Sequence, residues 1–209
     1  MSTARLSYPL PFLGGWLCLD FANTVDWRLD ARRRHDVLTG YDALLAWSEA
    51  RHSLPPGAAK RLATLAKRRP ASGLASWQAA LALRTEIWAI AEALEAGREV
   101  PLGPLNRRLA ALPPQPPLTP VPPHVHALPA KRTEEVLWPV LWSLTALLAS
   151  EDAGRVRCCQ AAGCGWFFVD ASPNRARLWC SAKGCGNRER VRRAYARRKV
   201  QPKGGAARS

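Results

Sequence analysis

Cys159, Cys164, Cys180 and Cys185 form two C-x4-C pairs separated by a 15-residue spacer, inside a segment dense in arginine. No other feature constrains the fold as tightly, because four thiolates brought to one point close a tetrahedral Zn2+ site. The segment they pin, about 45 residues with a miniature apolar cluster, is too small to order itself without metal, so zinc binding and folding are expected to be coupled. Six cysteines with four in close pairs also favour metal over disulfides, as in a reducing cytosol. Cys18, alone in an apolar run, reads as a small buried hydrophobe.

Charge separates this segment from the rest. The 209 residues carry 31 Lys and Arg against 16 Asp and Glu, a formal net charge of +15. From residue 154 onward lie 14 of those bases with only Asp170 and Glu189 to oppose them, while the upstream part holds 17 against 14. A nearly balanced body joined to a cationic module is the asymmetry of a polyanion binder attached to another domain. The expected division is a helical domain over 1–152, a finger over 153–200 and a disordered basic tail over 201–209. The apolar content, 47%, is ample for a core. Met1 to Leu6 runs into Pro9 and Pro11 without an apolar stretch, so no secretory signal is expected. The segment 136–149 contains Pro139 and is shorter than the about 20 apolar residues needed to span a bilayer. It reads as a buried helix, and the chain as cytoplasmic with no membrane partner.

The body reads as mainly α. Helices are expected over about 40–53 with Leu44, Leu45 and Trp47 inward, from Pro56 to about Arg69, and from an N-cap at Ser76 to about Ala96. Pro70 reads as the stop between the last two. Further helices are expected over about 104–112 and from Thr133 to about Ser150. Between them, 113–129 holds eight prolines and reads as a linker or a pair of short edge strands. The run 16–25 is helix or strand, since a short apolar stretch has no decisive period. Asp20 and Asn23 within it are either structural polar groups or the lining of a small-molecule pocket. Arg28, Arg32, Arg33 and Arg34 form a second basic cluster. His35, His52, His124 and His126 are scattered, and no nucleophile, base and acid set can be assembled, so no enzyme is expected.

In the cysteine segment, strands are expected over about 165–170 and 176–179, around a turn at Ser172 to Asn174. Trp166, Phe167, Phe168, Leu178 and Trp179 would pack under the metal. Asn187 reads as the N-cap of a helix in which Arg190, Arg192, Arg193, Arg197, Arg198 and Lys199 crowd eleven residues against Glu189 alone.

Cys159-x4-Cys164-Gly-Trp-Phe-Phe-x-Asp170, Ser172-x-Asn174-x-Ala-Arg177, Trp179-Cys180-Ser181 and Cys185-Gly-Asn-Arg188 closely resemble the CGNR zinc finger. Upstream, Gly15-Trp-Leu-Cys-Leu-Asp20-Phe-Ala-Asn23-Thr24 resembles the opening of the mainly helical ABATE domain. The resemblance implies a bacterial, stress-linked transcription regulator and a treble-clef-like or ribbon-like finger of β-hairpin plus basic helix. Here Cys158 adds a fifth thiol beside the first ligand, and spacing favours Cys159.

The resulting expectation is a zinc-dependent DNA-binding regulator. Cys159, Cys164, Cys180 and Cys185 hold Zn2+, while Arg188, Arg190, Arg192, Arg193, Arg197, Arg198 and Lys199, extended by Arg175, Arg177 and Lys183, meet DNA. Neutralising about four to six phosphates gives a salt slope of about −4 to −5. The body is then a sensor for a small-molecule effector or a homodimerisation domain. Two alternatives share these residues: an RNA- or ribosome-associated protein that stacks bases on Trp166, Phe167 or Trp179, and a thiol redox sensor with Cys158 as resolving thiol.

Overall fold

The computed structural model describes residues 11–120 and 125–200, with the side chains of Lys199 and Val200 outside that description. Expectations for His124, for the 201–209 tail and for the Lys199 side chain lie outside the described residues. The chain is mainly α, with seven α-helices and two small two-stranded sheets among the described residues. No helix among them is long and apolar enough to cross a membrane.

The run left undecided by its periodicity folds as α1, Leu17–Ala22, then leaves the helix at Asn23 for β1, Val25–Asp26. All residues of α1 after Leu17 are buried, which is why no amphipathic stripe marked it as a helix. β1 pairs antiparallel with β2, His35–Asp36. Helices α2 (Tyr41–Ala50) and α3 (Ala58–Arg68) follow, with Leu44, Trp47 and Leu62 fully buried.

The long helix α4 begins at Pro70, six residues before the expected N-cap, and runs to Glu95. Pro70 starts this helix rather than merely stopping α3: at the first helical position its missing N–H has no intrahelical partner to lose. Ser76 is therefore inside the helix, buried, its hydroxyl donating to Thr133 Oγ1 at 2.8 Å. Around α4 pack α1, α2 and α3. Helix α5 (Gly103–Ala110) leads to the proline-rich stretch, whose described part forms a single antiparallel bridge between Leu118 and His126. A 3-10 turn, Thr133–Leu137, then feeds α6, Trp138–Leu148, with Pro139 in its first turn. Most of α6 is buried against α1.

Strands β3 (Val156–Cys158) and β4 (Phe167–Val169) form the second sheet, with Val156 opposite Val169 and Cys158 opposite Phe167. The hairpin therefore encloses the first cysteine pair, and 176–179 is not a strand among the described residues. The reason lies in Asp170. Its Oδ1 accepts from the Ser172 N–H and hydroxyl and its Oδ2 from the Arg177 N–H, coiling 170–177 into a turn where a return strand was expected. Side chains of β4 alternate between two cores. Phe167 and Val169 join the main helical core with Val156, whereas Phe168 faces Trp166, the four cysteines and Val37 of the body. The core around the cysteines is not built by their segment alone: Leu13 and Val37 from the first part of the chain help fill it. Leu178, expected inside, is 39% exposed.

Candidate metal centre and basic helix

Four backbone devices bring the cysteines together. Cys159 follows β3, and its N–H donates to the Trp166 carbonyl at 2.7 Å, closing the first loop. Cys164 closes a turn on Ala161 at 3.0 Å. The next segment is laced back by the Gln160 N–H donating to the Leu178 carbonyl at 3.0 Å, which sets Cys180 beside the first pair. Cys185 sits in a π-turn, Ala182–Gly186, whose start is capped by the Ser181 hydroxyl accepting the Gly184 N–H at 3.0 Å. The turn runs straight into α7, Asn187–Val200, so Asn187 is already helical and Ser181, not Asn187, supplies the cap.

The four sulfurs are buried and lie within 4.8 Å of one another. Sγ separations of 3.9 Å for Cys164 to Cys180, 3.4 Å for Cys180 to Cys185 and 3.6 Å for Cys185 to Cys164 bracket the about 3.8 Å edge of a tetrahedron with Zn–S bonds of about 2.3 Å. Four thiols this close cannot all ionise against one another. Hydrogen bonding with Cys164 and the other two holds Cys159 far below the ordinary thiol range, and bonding with Cys159 pushes Cys164 and Cys180 far above it. A divalent cation removes the conflict by making all four thiolates compatible. The set is a Zn2+ site, closed by four protein ligands and lacking the open position a catalytic zinc keeps. Cys158 is outside it: its sulfur lies 4.0 Å from Arg28 Nη2 at the edge of the main core.

The zinc loop is bolted to the body. The Arg28 N–H donates to the Cys164 carbonyl at 3.0 Å, the Leu29 N–H to Gly163 at 3.1 Å, and Arg28 Nε to the Gly165 carbonyl at 2.8 Å. Gly163 and Gly165 have φ of 79° and 70°, and a Cβ at either would meet Asp30 or Leu29 at 2.9 or 2.6 Å. Glycine is required there by backbone conformation and by the body's close approach. Arg28, expected in a loose basic cluster, is instead wedged between the rings of Trp88 and Phe167 with Nη1 on Glu92. Arg33 pairs with Asp30 and lies over Trp27, and Arg34 lies near Trp88.

Four candidate nucleic-acid contacts have internal partners. Arg188 Nη2 donates to Cys185 Sγ at 2.9 Å while its guanidinium lies 4.2 Å from the Trp27 ring centre. Arg177 lies over Phe168 and donates to the carbonyls of Trp179 and Cys180. Arg190 reaches the Gly186 and Ala182 carbonyls at 3.4 Å, and Arg192 pairs with Glu189 at 2.9 Å. Glu189 is buried and accepts the Ala162 N–H, so it clamps α7 onto the zinc loop; that bond, with the Arg192 guanidinium, holds its carboxyl below the usual range. Arg193, Arg197 and Arg198 are exposed and form no salt bridge among the described residues. Arg175 and Lys183 are exposed as well.

Asp20 and Asn23 have structural partners. Asp20 accepts the Gly14 N–H at 2.8 Å and Arg51 Nε at 2.7 Å. Asn23 pairs through both side-chain atoms with the backbone of Phe167. His126 packs edge-on against Trp142 and bonds Pro116 and Gln115.

A closed four-cysteine zinc finger docked on a helical domain and prolonged by an arginine-rich helix defines a protein of the metal-scaffolded zinc-finger class. Family models agree on both parts: residues 15–151 match ABATE, described as a putative stress-induced transcription regulator, and residues 155–198 match the CGNR zinc finger. The chain belongs to the ABATE family and carries a CGNR finger after that domain. No curated protein matches it.

Proposed function

We propose that the protein is a zinc-dependent DNA-binding transcription regulator of the bacterial cytoplasm and nucleoid, with residues 153–200 on DNA and the domain over 1–152 as sensor or dimerisation part. The observation that carries this reading is the outer half of α7, where Arg193, Arg197 and Arg198 are exposed with no carboxylate paired to them among the described residues. Arginines on a rigid helix match phosphate oxygens in a duplex backbone. Arg175, Lys183, Arg190, Arg192 and Lys199 extend the charge, while Arg177 and Arg188 serve the scaffold. Zinc performs no chemistry in this reading; it holds the start of α7 against the body.

DNA is favoured over RNA because two of the three aromatic side chains that would stack on unpaired bases are used inside, Trp179 being half-buried against the cysteine cluster. Trp166 is buried with its indole N–H on the Val25 carbonyl at 2.9 Å, and Phe167 is fully buried. A redox sensor is disfavoured because burial pushes the Cys158 thiol up to about 11, away from the reactive thiolate.

Fluorescence anisotropy with a labelled DNA duplex and a single-stranded RNA of the same sequence tests the reading. The zinc-loaded protein should bind the duplex more tightly and lose that binding when a chelator removes zinc. Tighter binding to RNA, or duplex binding indifferent to zinc, contradicts it.

A further inference from the structure

The helical domain holds a cavity of about 300 Å3 between α6, the end of α2 and the proline-rich stretch. Its walls are largely apolar, with Leu17 and Trp142 among them, and its polar groups are Arg51, His52, Ser53, Gln115, His126 and Ser143, with no carboxylate in the lining among the described residues. Arg51 is the cation. Its Nε donates to Asp20 Oδ2 and its guanidinium lies 5.3 Å from the Phe12 ring centre, while among the described residues its two terminal nitrogens have no hydrogen-bond partner. His52 beside it ends α2 in the left-handed conformation, with φ of 52° and the Ser53 N–H donating to the Ser48 carbonyl at 3.0 Å, which fixes Arg51 at the cavity edge. An apolar cavity with a single half-open guanidinium is complementary to a small apolar body bearing one carboxylate.

The same arginine is linked to the zinc finger. Arg51 Nε donates to Asp20 Oδ2 at 2.7 Å, Asp20 Oδ1 accepts the Gly14 N–H at 2.8 Å, and the Gly14 carbonyl accepts the N–H of Val169 in β4 at 3.0 Å. A carboxylate on Arg51 competes with Asp20 for one guanidinium, and Asp20 is what holds Gly14 against the finger strand. We propose that this cavity is the effector site: it binds a small aromatic or branched aliphatic monocarboxylate on Arg51, and the contact is transmitted through Asp20 and Gly14 to the hairpin carrying the zinc site. This rests on the sensor reading of the helical domain and supplies its ligand class.

The test uses the full-length zinc-loaded protein with benzoate and phenylacetate as probes and benzyl alcohol and benzamide as neutral controls. Isothermal titration calorimetry should show saturable binding of the carboxylates, with the neutral compounds about ten- to hundredfold weaker because they lack the charged hydrogen bond. Arg51→Gln should abolish the preference for carboxylate. Because that change also breaks the Asp20 pair, Ala146→Trp at the exposed rim of the cavity is the second variant, and it should abolish binding while leaving the melting temperature unchanged. Coupling is read by the rate at which a chelator strips zinc, which requires no DNA, and should shift several-fold with bound carboxylate in the wild type only. Absence of binding, equal binding of the neutral compounds, undiminished binding by Ala146→Trp, or an unchanged stripping rate overturns the proposal. Failure of DNA binding in the same preparations would count against the regulator reading and leave these outcomes legible.

Discussion

Asn23 and Phe167 meet across 144 residues of sequence through two hydrogen bonds of 2.8 Å: Asn23 Nδ2 donates to the Phe167 carbonyl and Asn23 Oδ1 accepts the Phe167 N–H. The amide thereby acts as one more residue of a sheet, extending β4 into the end of α1. Both partners are buried, so neither backbone group has water as a substitute. This pairing, with the Arg28 and Leu29 contacts to the zinc loop, makes the finger a continuation of the helical domain's core.

Asn23→Ala orphans two buried backbone groups at once. A loss of about 2–4 kcal/mol in unfolding free energy is expected by urea denaturation at saturating zinc. A loss below about 0.5 kcal/mol would mean that the hairpin does not depend on this tie.

Cys159→Ser should lose stoichiometric zinc, and Cys158→Ser should keep it, because only Cys159 belongs to the four-sulfur cluster. Native mass spectrometry reads the metal directly. Retention of full zinc by Cys159→Ser would assign the first ligand to its neighbour.

Arg188→Gln removes the donor to Cys185 Sγ and the cation over Trp27. Zinc should be stripped by a chelator several-fold faster, as for loss of an outer-shell hydrogen bond to a ligand. The salt dependence of DNA binding should change by less than one phosphate's worth, about 0.9 in slope. The opposite pattern, stable zinc with a reduced slope, would put Arg188 on DNA.

Complete burial pushes the Cys18 thiol up to about 12, while its bond with Ser143 opposes the shift. The raised value leaves about one thiol in ten thousand ionised at pH 8, and thiolate is the reactive form. Alkylation of Cys18 in the folded protein should be undetectable at pH 8 and rise about tenfold per pH unit toward 12. Rapid labelling at pH 8, mapped by peptide mass spectrometry, would show that α1 opens.

The zinc ligands were legible in the sequence because metal chemistry is written in residue type and local spacing. Helices α2 and α3 were legible for a similar reason, a local period bounded by prolines and glycine. The misplaced return strand had another cause: Ala176 to Trp179 looked extended, but Asp170 takes Ser172 and Arg177 into a turn, while Val156 supplies the pairing strand. Pro70 was read as a stop because a proline between two helices fits either the end of one or the start of the next. The tie from Asn23 was illegible in detail, since its partner is a backbone amide far along the chain that carries no signature. Arg177 and Arg188 looked like their exposed neighbours in composition; only geometry separates scaffold arginines from free ones.

The salt dependence of duplex binding by the zinc-loaded protein, compared with a variant in which Arg193, Arg197 and Arg198 are all changed to Gln, tests the central claim most directly. With Arg177 and Arg188 engaged by internal partners, about three to four phosphates are neutralised, and log K against log salt should fall with a slope of about −3 to −4. The triple variant should keep its zinc and flatten the slope by about 2 to 3. A slope near zero in the wild type, or an unchanged slope in the variant, would contradict the assignment of α7 to DNA.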